Sequence, residues 1–142
     1  MNYEEIAAVA VKPSLKQFEA FTKIGPASLN GYVVIPDNLP LDYYDKIYEE
    51  IDQAPFGGLT FGGYFTEINN ELSAVYLDQS PFFKKSEHSD KELALIEQIK
   101  SVSVRALGFD NNHIWVNEMG ASEGAEYLSK QLKKLNVSGE VQ

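Results

Sequence analysis

The chain has no cysteine, one arginine, one tryptophan and two histidines in 142 residues. Without cysteine there is no disulfide, no thiolate metal site and no cysteine nucleophile, and a reducing compartment is the natural expectation. Arginine is so scarce that Lys and Arg together number 12 against 21 Asp and Glu, a formal net charge of −9. Sequence-independent nucleic-acid binding works by Lys and Arg displacing counterions from phosphates, so direct binding to DNA or RNA is not expected. Long apolar runs are lacking too. The run Ile6 to Val11 is short, and no segment approaches the roughly 18 apolar residues a membrane span needs. Met1-Asn2-Tyr3-Glu4-Glu5 puts no basic segment ahead of that run, so no export signal is read there and a cytoplasmic location is expected.

What is present fits one globular domain, residues 1–142. With 44% apolar residues, a chain of this length buries about 70% of the surface its unfolded form exposes. Charge is uneven along it. From Asp37 to Asp78 nine carboxylates face a single lysine, Lys46, whereas residues 81–142 are close to neutral. Such an acidic stretch is either a solvated face that keeps the protein soluble or a surface for a basic partner.

The pattern of residues predicts an α+β fold, a small antiparallel or mixed sheet packed with three to four helices. A first helix is expected after Ser14, where Leu15, Phe18 and Phe21 fall at three-residue spacing, ending before Gly25-Pro26. Tyr32 to Ile35 reads as a buried strand. A helix from about Asp42 to Gln53 presents Tyr44, Ile47, Tyr48 and Ile51 on one face and sets Asp45, Glu49 and Asp52 in a row on another. Leu59 to Thr66 and Ser73 to Leu77 read as a hairpin around Asn69-Asn70. Ser89-Asp90-Lys91-Glu92 is a capping box, opening a helix that carries Leu95, Ile96, Ile99 and Val102 inward and ends near Gly108. His113 to Val116 reads as a short strand, and the last helix runs from about Glu123 to Leu135, with Ser122 as its cap and Lys130, Lys133 and Lys134 complementing its dipole.

No complete catalytic set is readable, so an enzyme is not expected. Gly120-Ala121-Ser122-Glu123-Gly124 matches the nucleophile-elbow pattern, but that mechanism requires a histidine after the serine in chain order and none follows. His88 and His113 lie 25 residues apart without metal-ligand spacing, and His88 sits in the polar run Lys84 to Ser89, which reads as a solvated loop. Asp110-Asn111-Asn112-His113 begins like a calcium loop but lacks the glycine and glutamate that complete one. Neither a metal nor a cofactor is therefore expected. Gly57-Gly58 and Gly62-Gly63 match no nucleotide fingerprint. They do offer backbone N–H groups beside Phe56, Phe61, Tyr64 and Phe65, a combination suited to a planar ligand or, equally, to a bent sheet with an aromatic core.

The order Gly31-Tyr32-Val33-Val34-Ile35-Pro36, then an acidic stretch, then Gly57-Gly58-Leu59-Thr60-Phe61-Gly62-Gly63, then the amphipathic Glu126 to Leu132 resembles a family of small uncharacterised proteins of tailed bacteriophages and prophages. It covers residues 31–78 and about 122–135. Relatives of this kind carry histidine where this chain has Leu39 and Phe56, and a tryptophan-rich segment with an Asp-x-x-His element where it reads Val75 to Ser80, so any chemistry of those histidines does not carry over. The resemblance implies a phage accessory protein made in the cytoplasm of the host bacterium, a class expected to act against host defences, and the residues themselves favour binding over catalysis. Two readings follow. The first, and the one preferred on the sequence, is sequestration of a small nucleotide signal by Phe56, Gly57, Gly58, Phe61 and Tyr64, with phosphates met by Lys84, Lys85 or Arg105. The other is an acidic inhibitor, a partial DNA mimic, docking on a basic host protein such as a nuclease or CRISPR effector through Asp45, Glu49 and Asp52. Symmetric self-association would suit either, with Trp115 or the Tyr43-Tyr44 pair as anchors.

Overall fold

The computed structural model describes residues 1–24, 29–36, 43–53, 58–79, 82–110 and 120–135, with residues 43–46 described by their backbone alone. Its helices are α1 (Tyr3–Val9), α2 (Tyr43–Glu50), α3 (Asp90–Ser101) and α4 (Ala121–Lys134). The strands are β1 (Ala20–Ile24), β2 (Leu29–Ile35), β3 (Phe61–Ile68), β4 (Glu71–Val75) and β5 (Val104–Asp110). The fold is α+β, with a five-stranded antiparallel sheet in the order β1-β2-β5-β3-β4. Residue contacts divide the chain into two compact units, residues 1–14 with 63–105 and residues 15–62 with 106–142. Strands β3 and β5 each contribute residues to both.

In the first unit α1 opens on a capping box that the sequence reading overlooked. The Asn2 side chain accepts from the Glu5 N–H at 2.8 Å while the Glu5 carboxylate accepts from the Asn2 N–H at 2.9 Å, satisfying two donors that a helix start leaves open. The hairpin β3–β4 turns at Asn69-Asn70, both in the left-handed region at φ 53° and 66°. Asparagine tolerates that region, and two such residues in succession match the twist of the flanking strands. The Ser89–Glu92 box starts α3 as expected. That helix ends at Ser101, however, not near Gly108. The Ser101 hydroxyl donates to the Gln98 carbonyl at 2.6 Å and the Ser103 hydroxyl to the Ile99 carbonyl at 2.7 Å, which closes the last turn. The chain from Val104 then forms β5, whose residues are buried from Val104 to Phe109, and continuous burial selects a strand there. Tyr64, Val75, Leu77, Ile96 and Ile99 form the core of this unit, with α1 packed on α3.

In the second unit the helix expected after Ser14 is absent. Phe18 takes φ 67°, which no right-handed helix allows. Its N–H donates to the Val34 carbonyl at 2.8 Å and the Val34 N–H to the Glu19 carbonyl at 3.0 Å, so this segment joins the edge of β2. Its carbonyl accepts from the Ser129 hydroxyl at 2.6 Å. Tertiary hydrogen bonds thus outweigh a three-residue apolar spacing. From Ala20 the chain forms β1, paired antiparallel with β2 in the register Ala20↔Val33 to Ile24↔Leu29. Helix α4 packs on both strands and supplies Ala125, Leu128 and Leu132 to a core shared with Val33, Ile35, Ile47, Ile51, Leu59, Leu107 and Phe109. Its cap is Gly120, not Ser122. A β-carbon on Gly108 would lie 2.7 Å from the Gly31 carbonyl and against the Tyr32 ring, so the approach of β5 to β2 requires glycine. The expected strand at His113 to Val116, and Trp115, lie outside the described residues.

Candidate functional site

Asp52 stands two residues beyond the end of α2, where no helical hydrogen bond would hold it, and α4 holds it instead. The Asp52 N–H donates to Gln131 Oε1 at 2.6 Å, and Gln131 Nε2 donates to the Asp52 carbonyl at 3.0 Å. Its carboxylate Oδ2 accepts from the Tyr127 hydroxyl at 2.8 Å. Tyr127 and Gln131 are four residues apart on α4 and therefore share a face, so one helix grips both the backbone and the side chain of Asp52. The hydrogen bond to Asp52 raises the Tyr127 pKa, with desolvation and the carboxylate charge adding to it. Ionising the phenol would remove the donor and set two negative charges side by side.

The preceding and following residues are equally fixed. Ile47 and Ile51 anchor α2 in the core. Gln53 Nε2 donates to the Tyr48 carbonyl at 2.6 Å, satisfying one of the open acceptors at the helix end, while Gln53 Oε1 accepts from the Leu59 N–H at 2.8 Å. Gly58 takes φ 111° immediately before that bond, a conformation for which glycine is the ordinary choice. What remains on the outside is Tyr48, 47% exposed, with Glu49, Glu50 and Asp52 also exposed. The corner between α2 and α4 is thus a group of carboxylates and tyrosines, one member of which is oriented before any partner arrives.

The sequence expectation of a carboxylate row along one helix is corrected here. Helix α2 stops at Glu50, so Asp52 leaves the helix and takes its direction from Tyr127; the Asp45 side chain lies outside the described residues. The residues that make this corner, Tyr127 and Gln131, were missed by sequence reasoning. Their signal was present as an i, i+4 pair of hydrogen-bonding side chains in the closing helix, but nothing local identified their partner 75 and 79 residues away.

The residues expected to hold a planar ligand are distributed between the units. Gly58 and Phe61 belong to the second. Phe61 is half-buried, edge-on to Tyr32 with ring centroids 5.4 Å apart, and Tyr32 in turn stacks on Phe21 at 5.2 Å. Tyr64, Lys84, Lys85 and Arg105 belong to the first. Tyr64 is 3% exposed in the core of that unit, with Lys100 Nζ 6.0 Å from its ring centroid. Burial raises its pKa against the opposing charges of Lys100 and Arg105. Arg105 is itself buried, whereas Lys84 and Lys85 are exposed. Phe56 and Gly57 lie outside the described residues.

His88 is not the solvated loop residue expected. Its ring stacks on Phe83 at 4.6 Å with 14° between the planes, and Nδ1 is buried, 3.4 Å from Glu92 Oε1. Ser122 is exposed in the first turn of α4. Among the described residues no group of three or more His, Asp or Glu is placed to hold a metal ion, and no helix is long and apolar enough to cross a membrane. No family model, no curated protein and no solved structure matches the chain.

Proposed function

We propose that this chain is a non-enzymatic binding protein that docks on a basic protein surface through the corner between α2 and α4. The observation that carries the reading is the orientation of Asp52 by Tyr127 and Gln131 beside exposed Tyr48, Glu49 and Glu50. Charged hydrogen-bond acceptors held in place lose little entropy when an arginine or lysine arrives, and tyrosine is a favoured anchor at interfaces. The unit that contains the corner carries twice as many acidic as basic side chains, which speeds encounter with a cationic partner and repels nucleic acid. On the resemblance of its motif pair to small phage proteins, the setting is a bacterial host, the place of action its cytoplasm, and the class of partner a defence nuclease or effector.

Sequestration of a nucleotide by the glycine–aromatic segment draws less support. Tyr64 and Arg105 face inward and Phe61 is engaged with Tyr32. The test of the docking reading is affinity capture from a bacterial lysate with the wild-type protein and with a Glu49→Lys/Asp52→Lys variant of equal thermal stability. The reading requires basic proteins that the wild type retains, that moderate salt releases, and that the variant fails to retain.

A further inference from the structure

Strand β1 ends the sheet, so only one of its two edges is paired. The bulge at its start decides which backbone groups face the open edge. The Glu19 N–H donates to the Lys16 carbonyl at 2.9 Å, closing a turn in which Phe18 takes φ 67°. The Phe18 N–H donates to the Val34 carbonyl and the Glu19 carbonyl accepts from the Val34 N–H, the bonding of a G1 bulge, which makes Glu19 and Val34 a hydrogen-bonded pair. Along an antiparallel ladder bonded and non-bonded pairs alternate. With the register Ala20↔Val33 to Ile24↔Leu29, Phe21 and Lys23 therefore bond to β2, whereas Ala20, Thr22 and Ile24 turn their N–H and C=O groups to the open edge. Among the described residues no hydrogen bond reaches those groups. Thr22 is exposed and Ile24 is 79% exposed. The outward-bonding positions carry neither proline nor a charged side chain, two of the devices that blunt such an edge.

We propose that this edge pairs with the same edge of a second copy of the chain, β1 antiparallel to β1 about a two-fold axis at Thr22. What selects a second copy is that the edge is complementary to itself. An axis at Thr22 sets Thr22 against the partner's Thr22 and Ala20 against the partner's Ile24, so every outward N–H and C=O group of Ala20, Thr22 and Ile24 finds a bond. The neighbouring symmetric registers are worse. An axis at Phe21 leaves Ile24 without a strand partner, because the partner's bulge at Phe18 stands opposite it, and an axis at Lys23 sets two ammonium groups directly face to face. The register at Thr22 also moves the exposed Ile24 beside the partner's Ala20, which packs against the core beneath α4. A two-fold contact of this kind is closed, so association stops at two chains. It uses no residue of the corner between α2 and α4.

The test is sedimentation equilibrium of the full chain over a range of concentrations, with the variants Thr22→Pro and Thr22→Lys. The wild type is expected to pass from one chain to two with a dissociation constant below about 100 μM. Thr22→Pro removes the donor at the axis from both strands and spares the β1–β2 ladder, to which the Thr22 N–H contributes nothing. Thr22→Lys sets like charges across the axis at an exposed position, a residue that edge strands accept. Each is expected to weaken association at least tenfold, with the circular dichroism of the wild-type fold. A wild type that remains one chain up to about 1 mM would overturn the proposal and leave the edge to an extended segment of another protein. So would a dimer that the variants leave intact, or assembly beyond two chains.

Discussion

The Tyr127 hydroxyl donates to Asp52 Oδ2 across 2.8 Å, joining residues 75 positions apart, and it does so on the surface rather than in the core. A surface hydrogen bond of this kind adds little to stability, because water competes for both partners. Its consequence is directional: one carboxylate rotamer is selected before a partner's cation arrives.

Tyr127→Phe is therefore expected to leave the melting temperature within a few degrees of wild type while weakening the basic partner by about threefold. Gln131→Ala removes both backbone contacts to Asp52 and is expected to weaken it further, by roughly tenfold, since preorganisation contributes to affinity by lowering the ordering cost. Thermal melts and binding isotherms on the two variants check this order.

Thr66 is fully buried, and its hydroxyl donates to the Val102 carbonyl at 2.7 Å, with the Val11 carbonyl at 3.2 Å. Thr66→Val preserves shape but leaves the part-buried Val102 carbonyl without this donor, which costs on the order of 1 kcal/mol. Urea denaturation should show a lower midpoint with an unchanged slope.

Three groups of the first unit set a pH window. Burial opposes the charged form of Lys100, but its hydrogen bond to Asp78 and the charges of Tyr64, Asp78 and Glu97 prevail and raise its pKa above the ordinary 10.5. Tyr3 and Tyr64 are raised above 10.0, burial being the first cause for each. In every case the unfolded chain releases the proton at lower pH than the folded one. The contribution of these groups is complete below about pH 10 and is lost as pH rises through their folded values. Stability measured between pH 8 and 11 should fall over the upper part of that range, and Lys100→Met should flatten the fall. Lys100→Met should also lower stability at pH 7 by about 1 kcal/mol, a value discounted for partial exposure, because Asp78 loses its partner.

Gly108→Ala is expected to destabilise the protein by roughly 2 kcal/mol or more, since the added carbon meets backbone at Gly31 and the Tyr32 ring together. A lowered melting temperature with unchanged secondary-structure content in circular dichroism is the expected outcome.

Local signals in the sequence were sufficient where they were also decisive. Ser89 and Glu92 fixed the start of α3, and Asn69-Asn70 the turn of the hairpin. They failed where distant contacts outweigh them. Phe18 is drawn out of helix by bonds to Val34 and Ser129, and the end of α3 is set by serine hydroxyls and by the burial of β5. The corner was half legible: Glu49 and Asp52 stood out by charge, whereas Tyr127 and Gln131 acquire their role only when α4 is brought to the end of α2.

The most direct measurement is the dissociation constant of the captured basic partner for wild type and for Glu49→Lys/Asp52→Lys, taken across a range of salt concentrations. The account predicts a loss of affinity of about 10- to 100-fold in the variant at low salt, and a steep decline with salt for the wild type that the variant does not share. Equal affinities for the two proteins, or binding indifferent to salt, would contradict it.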